Sequence, residues 1–308
     1  MEVAIASESA RARLRMLASG AILLAIGCTG EVPPSVEVPS SSPSRCPSYS
    51  EPSSSGRVRD ARLEEISGIV ASPTHDVFWV QEDSGNPPVV VAIDDAGRVM
   101  ASVAVQGAVN DDWEDIALAD GTLWIGDIGD NDAERSSVQA YWFPEPALTA
   151  SSAVANVLNL RYEDGPHDAE ALLVDPDHGS LYVITKLFRR YGVVYRADIS
   201  SIEDGSSRTL RRVGRVPLGL VTAADSGPKG IVVLSYFDAL LYPWSGDRRV
   251  ESTLGAKGCP VVVGAGAEAI AIEAVTGRLS TIAEGTHPSI DHVVVDVGGQ
   301  GASAQPTG

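Results

Sequence analysis

The sequence predicts an all-β chain, a single β-propeller of four-stranded blades, from three observations. First, an acid stands just ahead of a short apolar run in Glu65-Ile66, Glu114-Asp115-Ile116, Glu170-Ala171-Leu172 and Glu268-Ala269-Ile270, at separations of 49, 56 and 98 residues. A degenerate copy, Leu220-Val221-Thr222-Ala223-Ala224, lies 52 residues after Glu170 and divides the double gap. Second, each copy is followed by a tight turn and another apolar run ending in a polar residue, which fits stacked short strands that cannot close a core alone. Third, the apolar residues are mostly Val, Ala, Ile and Leu, and no run keeps a 3.6-residue period for three turns, so helical repeats are disfavoured.

The first blade reads Ser67–Ser72, Phe78–Glu82, Val89–Ile93 and Val99–Val105, with turns at Pro73-Thr74-His75-Asp76, Ser84-Gly85-Asn86-Pro87-Pro88 and Asp94-Asp95-Ala96-Gly97. The second ends in an outer strand over Val154–Tyr162, the third in Leu210–Val216 and the fourth in Glu251–Leu254. The fifth has only three strands of its own, Ala269–Ile272, Leu279–Ala283 and His292–Val297. The unassigned piece Arg57–Leu63 supplies the missing outer strand and closes the ring, removing a free sheet edge. Five blades result; six would follow if the connection around Asp130–Ser137 contained further strands.

Four segments are expected along the 308 residues. Residues 1–27 read as a signal peptide, with Arg11, Arg13 and Arg15 ahead of the short apolar stretch Met16–Ile26. The stretch ends at Ala25-Ile26-Gly27-Cys28, which reads as a lipidation site and puts the mature chain on the outer face of a bacterial cell membrane. Residues 28–56 read as a Pro/Ser-rich tether, 57–297 as the propeller, and 298–308 as a disordered tail. Cys46 and Cys259 remain as a candidate disulfide, with two unrelated thiols as the alternative; export permits the bond.

Net charge is −18, from 41 Asp and Glu against 23 Lys and Arg, which excludes nucleic acid as a natural partner. The propeller places the start of each first strand and the end of each second strand at one mouth of the channel. Glu65, Glu114, Glu170 and Glu268 take the first position; Asp83, Asp127, Lys186 and Glu284 take the second. Carboxylates gathered in this way raise one another's pKa unless a counter-charge is present. Lys186 offers one, and a hard divalent cation with oxygen ligands, Ca²⁺ ahead of Mg²⁺, is the other. Acids at such positions also cap turns. Glu65, Asp83, Glu114, Asp127, Glu268 and Glu284 are therefore the candidate metal ligands, with Glu170 or His167 as candidate general base.

The motifs Glu65-Ile66-Ser67-Gly68, Asp83-Ser84-Gly85-Asn86, Asp112-Trp113-Glu114-Asp115-Ile116-Ala117 and Gly126-Asp127-Ile128-Gly129-Asp130-Asn131 with Arg135 resemble those of bacterial exported propellers related to the phytase-like esterase group. A more distant likeness is to gluconolactonase and regucalcin propellers. Asp168-Ala169-Glu170-Ala171-Leu172, Thr185-Lys186 and Glu268-Ala269-Ile270 before Glu284-Gly285 extend it over roughly Leu63 to Gly285. The resemblance implies a secreted, metal-tolerant propeller. The chain departs from it in blade four, where Leu234-Ser235-Tyr236 replaces an Arg-Thr-Tyr, and at Ala283, where a Ser is usual.

There is no Gly-x-Ser-x-Gly elbow, Walker loop or dinucleotide fingerprint. Two functions remain. One is a tethered monomer that binds a cation and an unidentified protein or small-molecule ligand. The other is a Ca-dependent hydrolase of a lactone, ester or phosphoester.

Overall fold

The computed structural model describes residues 46–188 and 190–296. The signal segment, Cys28 and the 298–308 tail lie outside the described residues. Among those described, the strands form five four-stranded antiparallel units, named here blades I to V. Blade I is Ile66–Ala71, Phe78–Glu82, Val89–Ile93 and Val99–Gln106; blade II is Trp113–Ala119, Thr122–Asp127, Val138–Pro144 and Asn156–Tyr162. Blade III is Ala169–Asp175, Ser180–Thr185, Gly192–Asp198 and Ser207–Val216. Blade IV is Val221–Gly227, Gly230–Ser235, Ala239–Pro243 and Cys259–Val261. Blade V takes Ala267–Ile272, Leu279–Ala283 and Ser289–Val293 from the C-terminal end and Ser53–Arg57 from the N-terminal end.

The inner strands touch in the order I, II, III, IV, V and back to I, so the fold is a closed β-propeller. Each blade buries both faces against its neighbours, which is why the inner strands are almost continuously apolar. Trp79 and Val90 of blade I pack with Trp113, Ile116 and Phe143 of blade II, and Val80 and Ile66 pack with Ala269 and Ile282 of blade V. Two parallel pairings add links at the outer edge. Ser152–Val154 lies beside the outer strand of blade I, and Asn156–Tyr162 beside that of blade III.

Four sequence expectations change. The closing strand is Ser53–Arg57, paired antiparallel with Ser289–Val293, in place of Arg57–Leu63. Beyond Arg57 the chain turns, because Asp60 accepts the Arg62 N–H at 3.0 Å while Val58 and Leu63 sink into the V–I core. Within the span expected as tether, Cys46 is held in a disulfide and Ser53–Arg57 is a blade strand. Glu251–Leu254 is not a strand: Val250–Leu254 forms a helical turn that buries Val250, Thr253 and Leu254, an i, i+3, i+4 pattern. The outer strand of blade IV is Cys259–Val261 instead. The span Val154–Tyr162 is split, with its first residue pairing toward blade I.

A disulfide joins Cys46 to Cys259, with Cα atoms 5.5 Å apart across a sequence separation of 213. Beside it Ser48–Tyr49 pairs with Val295–Asp296, so both ends of the fold are fastened together. Replacing both cysteines by serine should destabilise the domain by up to about 5 kcal/mol on chain-entropy grounds. Urea denaturation with and without reductant measures this: wild type should weaken in reductant and the double variant should not.

Candidate metal centre

Each inner strand slips by one residue against its neighbour at the same point. The slips fall between Ile66 and Gly68, Trp113 and Asp115, Ala169 and Ala171, Val221 and Ala223, and Ala267 and Ala269. A β-bulge leaves one residue without a cross-strand partner and re-aims its side chain. The residues so released are Ser67, Glu114, Glu170, Thr222 and Glu268, one per blade. This ring corrects the alignment read from the repeat, since Ser67 and not Glu65 stands where the other blades carry Glu114, Glu170 and Glu268. Glu65 belongs two residues earlier, with Asp112 and Asp168. The backbone agrees: Glu65 O accepts from Asp83 N, Asp168 O from Lys186 N, and Leu220 O from Tyr236 N.

The second-strand ends follow the same frame. The residues opposite the start of each bulge are Glu82, Asp127, Thr185, Ser235 and Ala283, so the next positions are Asp83, Ile128, Lys186, Tyr236 and Glu284. Asp127 is one residue out of frame, and a one-residue step on a strand reverses the side chain. Its carboxylate is fully buried and held by Arg135 Nη2 at 2.7 Å. It also accepts the Asp112 N–H at 3.2 Å, so Asp127 fixes the backbone ahead of Glu114 and stands outside both triads. Asp130 does similar work, accepting the Glu134 and Arg135 N–H groups.

The acids meet in two triads. Carboxylate oxygens of Asp83, Asp112 and Glu114 lie within 4.8 Å of one another, as do those of Glu114, Asp168 and Glu170. Glu114 is common to both. Ser67 donates to the Glu114 carbonyl at 2.7 Å, and Gly129 lies so close that an added methyl would collide with the Glu114 and Asp112 carboxylates. Lys186 contacts Glu170 and sits 5.1 Å from the Tyr236 ring centroid. Burial raises both Glu268 and Glu284, with Glu284 and Asp83 adding to the first and Asp83 and Glu65 to the second. Glu65 is at the exposed rim, bonded by Asn86 at 2.8 Å.

Burial and mutual repulsion shift this cluster together. Burial raises Asp112 to about 6, with Asp83 adding to it. Burial, then Glu170, Asp83 and Asp112, push Glu114 well above the ordinary range. Burial takes Glu268 to about 7, helped by Glu284, and Glu170 to about 8 against the pull of Lys186. Burial opposes the Lys186 ammonium, but Glu170 outweighs it and holds that pKa above its usual value.

Two further carboxylates cross the channel below the mouth. Asp115 Oδ1 accepts the Ile116 N–H at 2.9 Å, and Oδ2 accepts those of Leu172 at 2.8 Å and Ala224 at 3.2 Å. It thus bonds the inner strands of blades II, III and IV. Asp225 joins blade IV to blade V through the Ile272 N–H at 2.7 Å, and burial raises it to about 7.

Sequence reasoning missed Asp112, Asp168, Ser67, Thr222, Asp115 and Asp225 as members of this assembly. The bulge was the missing signal, since it shifts the repeat frame by one in a way that acid spacing alone does not reveal. His167 does not join the acids. Its Nε2 is 2.9 Å from Asp164 Oδ1 and 2.8 Å from the Tyr195 hydroxyl, with its ring edge-on to Tyr162. Those contacts pack it between blades II and III, outside both triads.

No protein-family model and no curated protein matches the chain. Solved structures similar to it include a gluconolactonase from Xanthomonas campestris, 13% identical, with TM-score 0.46, covering 81% of this chain and 97% of the other. A glutaminyl cyclase from Myxococcus xanthus is 13% identical, with TM-score 0.48, over 80% and 96%. A calcium-binding regucalcin from Agrobacterium tumefaciens is 12% identical, with TM-score 0.42, over 79% and 94%.

Two outcomes are expected. Asp115→Asn keeps one acceptor oxygen where two served three N–H groups, and should cost about 1–3 kcal/mol in chemical denaturation. For the mouth, Glu268 and Glu170 have folded pKa values near 7 and 8, above the unfolded value of about 4.3. The folded state then holds protons that the unfolded state has lost, so stability should fall as pH rises from about 4 to about 8 in chelator. A melting temperature that climbs across this range would contradict the burial described.

Proposed function

We propose that this chain is a β-propeller that binds a divalent cation, Ca²⁺ in preference to Mg²⁺, at its acidic mouth. The observation that carries the reading is the pair of carboxylate triads sharing Glu114. Several features suit a cation. The donors are all oxygen, as hard cations require, and their number favours the larger, more flexible Ca²⁺ shell. Gly129 leaves the carboxylates of Asp112 and Glu114 the space that any side chain would take. Thr222, on the same bulge ring, has a buried Oγ1 with no hydrogen-bond partner. Asp83, Asp112, Glu114, Asp168 and Glu170 would hold the ion, with Lys186 balancing the charge left over.

Presentation outside the cell on lipidated Cys28 completes this reading, supported by the arginines, the short apolar stretch and the small residue ahead of Cys28. The chain would then display the mouth to an oxygen-bearing ligand as a monomer. A second reading, Ca-dependent hydrolysis of a lactone, ester or phosphoester, is favoured by Lys186 and Tyr236 standing beside the triads. A bound cation would supply polarisation of a ligand oxygen or of water. On this side of the mouth the Lys186 ammonium and the Tyr236 hydroxyl would orient an anionic group. The likeness of the sequence motifs to phytase-like esterase propellers agrees with that second reading.

Saturating Ca²⁺ should raise the melting temperature, by mass action adding about 2.7 kcal/mol at a hundredfold excess over Kd. Glu114→Gln, which touches both triads, should remove most of the rise; Glu51→Gln, on the exposed N-terminal segment, should leave it intact. An unchanged melting temperature in chelator and in Ca²⁺ would end the cation reading. Mass spectrometry of the membrane fraction should find an acylated peptide beginning at Cys28.

A further inference from the structure

Charge is distributed unevenly around the rim of this acidic propeller. The outer strand of blade III, Ser207–Val216, carries Arg208, Arg211, Arg212 and Arg215 within ten residues. Blades I and IV have no charged residue on their outer strands, and blades II and V have one each, Arg161 and Arg57. A single charge is enough to guard a sheet edge against pairing. Four on one strand, in a chain of net charge −18, call for another cause.

Little of this charge is neutralised among the described residues. Arg211 is 3.7 Å from Glu163, both largely exposed, and Arg215 lies 5.4 Å from the Tyr191 ring centroid. Arg208 is fixed by backbone carbonyls, donating to Asp198 O at 2.9 Å, and Arg212 has no carboxylate within ion-pair distance. Of the nearby acids, Asp198 is bonded by Ser200, Asp204 by the Val157 N–H, and Asp164 by His167 and Tyr195. Where the strand pairs with blade II, Arg161 and Arg208 line a cleft of about 440 Å³ with Ser137, Asn159, Ser207 and Thr209. The Arg208 guanidinium is spent on the carbonyls of Asp198, Ser201 and Ser207, so Arg161, which has no ion pair among the described residues, is the group here that suits a phosphate or similar anionic head group.

We propose that the outer edge of blade III is a docking surface for a membrane rich in anionic phospholipid. The choice of a membrane over a soluble polyanion rests on the Cys28 anchor proposed above and on where the tether enters the fold. Cys46 is bonded to Cys259 on the outer strand of blade IV, next to blade III. The helix Val250–Leu254, which precedes that strand, packs on the blade III outer strand, and its Glu251 lies 3.5 Å from Arg196. Residues 29–45 extend at most about 60 Å, which bounds how far an anchored fold could stand from the bilayer. Anionic head groups would attract the edge while repelling the rest of the acidic surface, which orients the ring on its rim and leaves the acidic mouth open to ligand.

The test uses the chain begun at Thr29, which retains every described residue and lacks Cys28, so the outcome does not depend on lipidation. Vesicles of phosphatidylcholine, alone or with about 30% phosphatidylglycerol, are sedimented with the protein at low and high salt. Binding is expected only with phosphatidylglycerol and should be lost at high salt. Arg212→Gln should weaken it about fivefold, and the quadruple Arg208, Arg211, Arg212 and Arg215→Gln variant by at least about a hundredfold. Arg62→Gln with Arg98→Gln, exposed beside blade I and away from blade III, should have no effect. Circular dichroism checks that the variants fold; Arg212→Gln, at an exposed side chain, carries the test if the quadruple variant does not. Equal binding to both vesicle types, or binding that survives Arg212→Gln unchanged, overturns the proposal. Binding of soluble polyphosphate without binding to phosphatidylglycerol vesicles also overturns it, in favour of an anionic polymer.

Discussion

Five β-bulges, one at the same point of every inner strand, govern the arrangement of this molecule. A regular strand would alternate its side chains between the two interblade cores, and an acid at Glu114 or Glu170 would have been driven into apolar surroundings. The bulge adds one residue without a cross-strand partner and lets it face the channel. Ser67, Glu114, Glu170, Thr222 and Glu268 therefore form one ring while Ile66, Ile116 and Leu172 stay in the cores.

That ring concentrates like charge in a place where water is scarce, and the fold answers with several compensations. Lys186 meets Glu170, burial raises the Glu114 carboxyl well above the ordinary range, and Asp115 and Asp225 tie four inner strands together with backbone hydrogen bonds beneath it. Arg135 stays outside the ring and grips Asp127, which holds the Asp112–Glu114 backbone in place. The charge left over makes the mouth receptive to a cation. A stable scaffold is needed to hold such a mouth, and the ring closure through Ser53–Arg57 with the Cys46–Cys259 bond supplies it.

The same economy explains what the mouth excludes. His167, the histidine nearest in sequence, spends both its position and its Nε2 on Asp164 and Tyr195, packing the II–III interface. Chemistry at the mouth must therefore draw on carboxylates, Lys186 and Tyr236.

The sequence by itself determined the propeller class and the repeat of its inner strands, and it singled out Asp83, Glu114, Glu170 and Lys186, which the fold brings together. Those follow from local rules: strand alternation, turn residues and a repeat near fifty. It did not determine which acid of each pair faces the channel, because the bulge is a mismatch between two strands and has no signature within one. Hence acid spacing aligns Glu65 and Asp127 with residues they do not match in the fold, and gives Asp112 and Asp168 no place. The closing strand was likewise displaced toward Arg57–Leu63, since pairing with Ser289–Val293 depends on a partner more than two hundred residues away. Helix against strand at Val250–Leu254 was decided by packing on blade III, where spacing of i, i+3 and i+4 buries a face that a five-residue strand could not. Local pattern fixes what each segment can be; only the closed ring decides which neighbour it meets and which side chains the channel receives.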